Sequence, residues 1–288
     1  DMGEPVSGIH TIGTAANVHN SSQPYWLVTG NGNGELGLWQ LTYSLTNDFM
    51  VNPSKPAKYL NGHEDRVTAM TNHNEWFATG SRDGSIRLWN MASPEIMATS
   101  VSLLGHEKQV NRLEIVEHWL ISDSDDNTVR LWDMRQPQPT PILLVSDQDY
   151  VGTTFAPDGR GEHPYLITST AYDVYLWDLL LDDPSQQTPV KIASHPDRIS
   201  SLALSDDTRW LISGSNDSSV RLWNLSDPLL RTGEVEPRYL QAHNNQVKAV
   251  GVSTDNRWAF TAGGQDAFLW DFTDPEMTSK PIHLPGHK

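Results

Sequence analysis

Cysteine is absent from this 288-residue chain. Disulfides, thiolate metal sites and cysteine nucleophiles are thereby excluded. Basic residues are scarce: 20 Lys and Arg stand against 36 Asp and Glu, a formal net charge of −16. A surface that follows a phosphate backbone needs clustered cations, so neither nucleic acid nor an anionic membrane is expected as the main partner. The acidic surplus reads first as an aid to solubility. No apolar run is long enough to span a bilayer, and no signal-peptide pattern opens the chain. It begins Asp1-Met2-Gly3, which reads as the interior of a longer protein or a trimmed chain. A cytoplasmic location is the default expectation. Hydrophobic residues are few as well, at 37%. Many short strands with polar turns account for that, because only alternate residues need face inward. Disorder is the competing reading of such a composition, and the regularities below argue against it.

What the chain does have is tryptophan at fixed intervals. Trp39, Trp89, Trp132, Trp177, Trp223 and Trp270 follow one another at steps of 50, 43, 45, 46 and 47 residues. Trp26, Trp76, Trp119, Trp210 and Trp258 precede members of that first set by 13, 13, 13, 13 and 12 residues, and Tyr165 fills the one gap. A period in the mid-forties signals a repeat architecture. The clearest unit runs from Arg66 to His106. Val67–Met70 alternates, a polar turn follows at Asn72-His73-Asn74, and Trp76–Thr79 is a second β-prone run. Gly80-Ser-Arg-Asp83-Gly84 reads as a hairpin turn of the Asp-Gly kind, in which both central residues take positive φ. Ser85–Trp89 is a third, strictly alternating strand, and Ser100–Leu104 a fourth. Strands at about 10-residue spacing with turns between them indicate an all-β fold, and a self-similar four-strand unit selects a β-propeller of about six four-stranded antiparallel blades. The expected blades cover residues 3–63, 64–106, 107–148, 149–195, 196–243 and 244–287, in a single domain. The loops after the third strands vary in length and carry most of the prolines, as outer-rim loops do.

The third strand ends in Trp132-Asp133, Trp177-Asp178 and Trp270-Asp271, with Trp89-Asn90, Trp223-Asn224 and Trp39-Gln40 as variants. A Gly-His pair stands at Gly62-His63, Gly105-His106 and Gly286-His287, with Ser194-His195 and Ala242-His243 as altered copies. The His-to-Trp distances are 26, 26, 28 and 27 residues in the four units that hold both. In these features nearly the whole chain resembles the WD-repeat β-propeller family. The double-tryptophan form, with Arg209-Trp210-Leu-Ile-Ser-Gly-Ser215, looks more like bacterial members than animal signalling subunits.

Three units each hold a His, a hydroxyl residue, an Asp and a Trp: His63, Thr79, Asp83 and Trp89; His106, Ser122, Asp126 and Trp132; His195, Ser213, Asp217 and Trp223. One such set could be read as a Ser-His-Asp hydrolase. Multiplicity argues otherwise, since an active site needs one preorganised set and not several copies. The resemblance implies a hydrogen-bonded network inside each blade. Physical need agrees, because a buried indole N–H or imidazole without a partner costs about 1–3 kcal/mol. The fourth unit has Asp147 where the His belongs and a shortened hairpin. The sixth keeps His243, Thr261 and Trp270 but leaves Asp266 out of register. These two units are expected to be the softer ones, with a functional role for one of them as the alternative. The remaining histidines lack metal-ligand spacing. Gly30-Asn-Gly-Asn-Gly34 leads into a strand rather than the helix N-terminus that phosphate binding uses. No cofactor is expected.

The resemblance also implies a binding face made by two loop sets. Residues just before each first strand lie on it: Arg66, Gln109, Tyr150, Arg198 and Gln246. The hairpins add Arg82, Asp125 and Asn216, and the shortened fourth hairpin adds Tyr172. Arg and Tyr often dominate binding energy, and three Arg on one face of an acidic protein would attract an acidic segment. The expected function is a non-enzymatic scaffold or sensor module binding a protein or peptide. The alternative is a propeller-type hydrolase or lactonase with an axial site, for which no repeating Asp, Glu and His cluster is visible. The final Gly-His reads as the start of a further blade, so the chain is expected to be part of a longer multi-blade protein, with a self-contained six-blade ring as the alternative.

Overall fold

The computed structural model describes residues 9–15, 25–43, 49–51, 58–73, 76–90, 100–146, 152–155, 165–179, 189–227, 236–241, 243–272 and 280–285. Among them every regular element is a β-strand, and no helix is long and apolar enough to cross a membrane. The strands form six antiparallel sheets in chain order, each a meander of neighbouring strands, which is the blade arrangement of a β-propeller.

The chain divides into two compact units, Asp1–Leu144 and Val145–Lys288. The first unit begins with β1 (Ile9–Ala15), β2 (Tyr25–Asn31), β3 (Leu36–Tyr43), β4 (Phe49–Val51) and β5 (Lys58–Leu60), which form sheet one. Sheet two is β6 (Val67–His73), β7 (Trp76–Ser81), β8 (Ile86–Asn90) and β9 (Ser100–Leu103). Sheet three is β10 (Val110–Val116), β11 (Trp119–Ser124), β12 (Thr128–Asp133) and β13 (Pro141–Ser146). In the second unit, sheet four is β14 (Gly152–Phe155), β15 (Tyr165–Ser169), β16 (Asp173–Asp178) and β17 (Val190–Ser194). Sheet five is β18 (Ile199–Leu204), β19 (Trp210–Ser215), β20 (Val220–Asn224) and β21 (Arg238–Leu240). Sheet six is β22 (Ala249–Val252), β23 (Trp258–Gly263), β24 (Asp266–Asp271) and β25 (Ile282–Pro285).

Sheet one departs from the four-strand plan. β3 pairs along one half with β5 (Leu36 opposite Leu60) and along the other with β4 (Leu41 opposite Val51). Its outer strand is therefore split, because the long connection after Trp39 folds back on β3 before reaching Lys58. β6 also runs further than expected, since Asn72 and His73 pair with Phe77 and Trp76.

Within the first unit, Val28, Leu36, Leu38 and Leu60 of sheet one pack on Val67, Phe77 and Trp89 of sheet two. Ala78, Ile86, Leu88 and Leu103 of sheet two meet Val110, Leu113, Leu120 and Trp132 of sheet three in the same way. Within the second unit, sheet four packs on sheet five, and sheet five on sheet six. Each core is thus a joint between one sheet's back face and the next sheet's front face, and the alternation of every strand supplies both faces. Polar bonds repeat across the joints. Thr68 Oγ1 donates to the Val110 carbonyl at 2.5 Å, and Ser200 Oγ does the same to the Val247 carbonyl at 2.5 Å.

Candidate functional site

The second-to-third-strand hairpins set the geometry. At Ser81–Ser85 the Gly84 amide donates to the Ser81 carbonyl (3.2 Å) and the Ser81 amide to the Ser85 carbonyl (3.1 Å). Gly84 has φ +82°, whereas Asp83 keeps a negative φ. This corrects the expectation of a two-residue turn with both centres left-handed: it is a type I turn closed by one left-handed residue. Asn127 (φ 62°) and Ser218 (φ 69°) take that position in sheets three and five.

The type I geometry turns the Asp side chain back over its own loop and the next segment. Asp126 accepts from the Thr128 amide and hydroxyl at 2.9 and 2.6 Å, the Glu107 amide at 3.0 Å and His106 Nδ1 at 3.0 Å. His106 Nε2 lies 2.7 Å from Ser122 Oγ, which accepts from the Trp132 indole N–H at 2.9 Å. A carboxylate only accepts, so the proton sits on Nδ1 and the Ser122 hydroxyl donates to Nε2. In sheet five His195 sits 3.2 Å from Asp217 and 2.6 Å from Ser213, but the buried Trp223 N–H has no partner among the described residues, unlike the expected network. In sheet two Thr79 Oγ1 lies 2.7 Å from His63 Nε2 and accepts from the Trp89 N–H at 3.1 Å. Nδ1 of His63 is 2.8 Å from Ser85 Oγ, while Asp83 stands off at 3.7 Å. Sheet six keeps His243 to Thr261 (2.8 Å) and Trp270 to Thr261 (3.1 Å), but His243 Nδ1 is unpartnered among the described residues, and Asp266 bonds His283 at 2.8 Å instead. In sheets one and four Trp39 and Trp177 donate to Thr29 and Thr168, each at 3.0 Å.

Burial carries the His63 imidazole down to about 4, with Asp83 opposing and Arg87 assisting the shift. Burial likewise lowers His106, His195 and His243. Burial pushes the Asp126 carboxyl up, but the hydrogen bonds from Thr128, Glu107 and His106 outweigh it and hold it at about 2. The hydroxyls of Thr79, Ser122 and Ser213 belong to residues with no exposed surface. They are sealed from solvent, and those of Thr79 and Ser122 accept from an indole N–H.

A partner of the network absent from the sequence reading is the third-strand arginine. The Arg87 guanidinium fills the space where a Gly62 side chain would stand: an added Cβ would lie 2.5 Å from Cζ. Arg130 lies against Gly105 likewise, and Arg221 donates to the Ser194 carbonyl. The Gly of the Gly-His pair makes room for that guanidinium. The repetition of Arg two residues before Trp89, Trp132 and Trp223 was the available signal.

The exposed loop residues are joined through the backbone. The Arg82 amide donates to the Arg66 carbonyl (2.9 Å), Asp125 to Gln109 (2.9 Å) and Asn216 to Arg198 (2.8 Å). In the first unit Arg66, Arg82, Gln109 and Asp125 line one open depression of about 600 Å³, together with Glu107 and Lys108. Asp125 is held by Asn111 at 2.7 Å, and Asn111 accepts from Gln109 at 2.9 Å. The guanidinium groups of Arg66 and Arg82 make no hydrogen bond or ion pair among the described residues, and both residues are exposed. Glu107 and Lys108 were missed, although they adjoin Gln109 in the same loop. In the second unit Lys248 bridges Gln246 (2.6 Å) and Asn216 (3.2 Å), Arg198 is exposed, and Tyr172 is exposed while its carbonyl accepts from the His195 amide at 2.8 Å. Tyr150 and Asp147 lie outside the described residues, as do Gly286 and His287. No group of three or more His, Asp or Glu among the described residues is arranged to hold a metal ion.

Known proteins carry the same pattern. The chain is 34% identical over 183 residues to "Protein LST8 homolog" of Dictyostelium discoideum, covering 60% of this chain and 57% of that protein. It is 30% identical over 183 residues to "Target of rapamycin complex subunit LST8" of Saccharomyces cerevisiae, covering 62% and 58%. It is 42% identical over 72 residues to "Small ribosomal subunit protein RACK1y" of Oryza sativa subsp. japonica, covering 24% and 19%. In each case it spans less than two thirds of the relative's length. The crystal structure of a computationally designed protein, Ika8, superposes with a TM-score of 0.65 over 97% of this chain and 74% of its own at 17% identity, which speaks to fold alone. The family described as "WD domain, G-beta repeat" matches at residues 54–90, 98–133, 187–224 and 235–271, just over half of the chain. With sheets, turns and buried His-hydroxyl-Trp contacts in that same phase, the chain belongs to the WD40 family.

Proposed function

We propose that this chain is a non-enzymatic interaction module that receives a protein or peptide on its inter-sheet and hairpin loops. One observation carries the reading: the imidazole, hydroxyl, carboxylate and indole of the sheet-three network are bonded to one another inside the fold, whereas Arg66 and Arg82 line an open depression with their charges free among the described residues. Arginine pairs bidentately with carboxylates, and the remainder of the molecule is acidic, so an acidic segment is the partner chemistry the site fits. The net charge of −16 supports leaving nucleic acid and anionic membranes outside its main partners. By their names, the yeast relative is a subunit of the target of rapamycin complex and the rice relative a protein of the small ribosomal subunit. Membership of a larger assembly is what we carry over to this chain. The double-tryptophan repeat supports reading it as a bacterial-like member, and a cytoplasmic location, checked by cell fractionation, belongs to the same proposal.

A fluorescently labelled oligoglutamate peptide tests the site by anisotropy. Reversing both charges, Arg66→Glu with Arg82→Glu, should weaken binding by more than about tenfold, given about 1.5–3 kcal/mol for a charge-assisted bond, with the melting temperature unchanged. Equal binding by the variant would sink the reading.

A further inference from the structure

The depression of the first unit has two poles, one on each of two adjoining sheets. Arg66 and Arg82 stand on the sheet-two side, joined through the Arg82 amide and the Arg66 carbonyl. On the sheet-three side Glu107 and Asp125 outweigh the single Lys108. The Glu107 amide donates to Asp126, and Ser124 Oγ donates to the Lys108 carbonyl, so that loop is tied to the sheet-three hairpin. Arg66, Arg82, Glu107 and Asp125 are all exposed, and no ion pair among the described residues joins one pole to the other. Asp125 is moreover fixed without being neutralised. Asn111 donates to one carboxylate oxygen and is itself held by Gln109, so neutral amides aim the side chain and leave its charge in place. The corresponding joint of sheets five and six lacks these charges. Asn244 and Asn245 follow His243 where Glu107 and Lys108 follow His106, and Asn216 stands where Arg82 does. Lys248, in the place of Asn111, is tied to Gln246 and Asn216.

Resting on the reading of Arg66 and Arg82 as receivers of an acidic group, we infer that this depression takes a dipolar segment. An acidic side chain pairs with Arg66 and Arg82, and a Lys or Arg about three residues away pairs with Asp125 and Glu107. The spacing follows from the fold, since packed sheets stand about 10 Å apart and an extended chain rises about 3.3 Å per residue. A purely acidic segment meets Asp125 and Glu107 with like charge, and such contacts are how an interface turns away wrong partners.

Fluorescence anisotropy with two labelled peptides tests this at low ionic strength, where exposed pairs are least screened. One is Gly-Glu-Glu-Ala-Lys-Lys-Gly, and the other has Ala in place of both Lys. The Lys peptide should bind about fivefold more tightly, the size of two exposed ion pairs. Asp125→Asn with Glu107→Gln should erase that preference, weakening the Lys peptide and strengthening the Ala peptide. The melting temperature should hold, because the new amide still accepts from Asn111 and both side chains are exposed. This variant scarcely alters the overall charge of −16, so general repulsion by an acidic protein does not account for a lost preference. Equal binding of the two peptides by the wild type, or a preference that survives in the variant, would overturn the dipolar site. The acidic-segment reading would then still stand if Arg66→Glu with Arg82→Glu weakened both peptides. Binding of neither peptide, or of both unchanged after that reversal, would remove the two readings together.

Discussion

Four hydrogen bonds converge on the carboxylate of Asp126, from the His106 ring, the Glu107 amide and both donors of Thr128. Removing it takes the acceptor from the Glu107 and Thr128 amides and leaves the His106 N–H only Thr128 Oγ1, 3.0 Å away, and Asp126→Ala should cost about 2–4 kcal/mol in denaturant unfolding. Asp83→Ala should cost less, about 1–2 kcal/mol, because Asp83 stands 3.7 Å from His63 whereas Asp126 bonds His106 at 3.0 Å. A reversed order would show that distance to the imidazole is not what sets the strength of the strut. Ser218 holds a left-handed φ of 69° at the turn position where sheet two has Gly84. Relieving that strain by Ser218→Gly should raise stability by about 0.5–1 kcal/mol after the added chain entropy of glycine is subtracted, read as a higher denaturant midpoint.

Sheets differ in whether the hairpin Asp reaches the buried imidazole. Sheet three is stitched by Asp126, whereas sheet six leaves His243 Nδ1 bare and spends Asp266 on the exposed His283. Amide hydrogen exchange should therefore be faster in β22–β25 than in β10–β13, since local opening follows the weakest packing. Equal protection would contradict it. The loss of the Asp–His bond in sheet six was legible in the sequence, from the shortened turn that displaces Asp266. So were the sheets themselves, because Trp, the turn residues and the two-residue alternation all point to one phase. The split outer strand of sheet one was not, since Phe49–Val51 lies in a connection that no other unit repeats. Arg87, Arg130 and Arg221 escaped notice because a charged residue on an alternating strand reads as solvent-facing, and only the packed structure reveals the glycine that receives it. Pairing of Arg66 and Arg82 with Gln109 and Asp125 around one depression followed from the phase; the contribution of Glu107 and Lys108 needed the loop conformation.

Among the described residues four buried histidines share one direction of shift. Between pH 6.5 and about 4 the unfolded chain takes up a proton that folded His63 refuses, so stability is complete above pH 6.5 and declines as pH falls through that window. His63 alone accounts for a loss on the order of 3 kcal/mol by pH 4, and His106, His195 and His243 add losses of the same sign. Asp126 extends the decline below 3.8 toward about 2. Urea midpoints measured from pH 8 downward should stay level to about 6.5 and then drop steadily; a flat profile to pH 4 would mean the rings are charged or exposed in the fold. The imidazole tautomers supply a built-in spectroscopic gauge. His106 and His195 are held with the proton on Nδ1 by Asp126 and Asp217, the form less populated by free histidine, while His243 has no acceptor to enforce it. Long-range nitrogen–proton NMR correlations would thus place the first two rings in one spectral class and His243 apart from them, and each ring would report the integrity of its own sheet without any label.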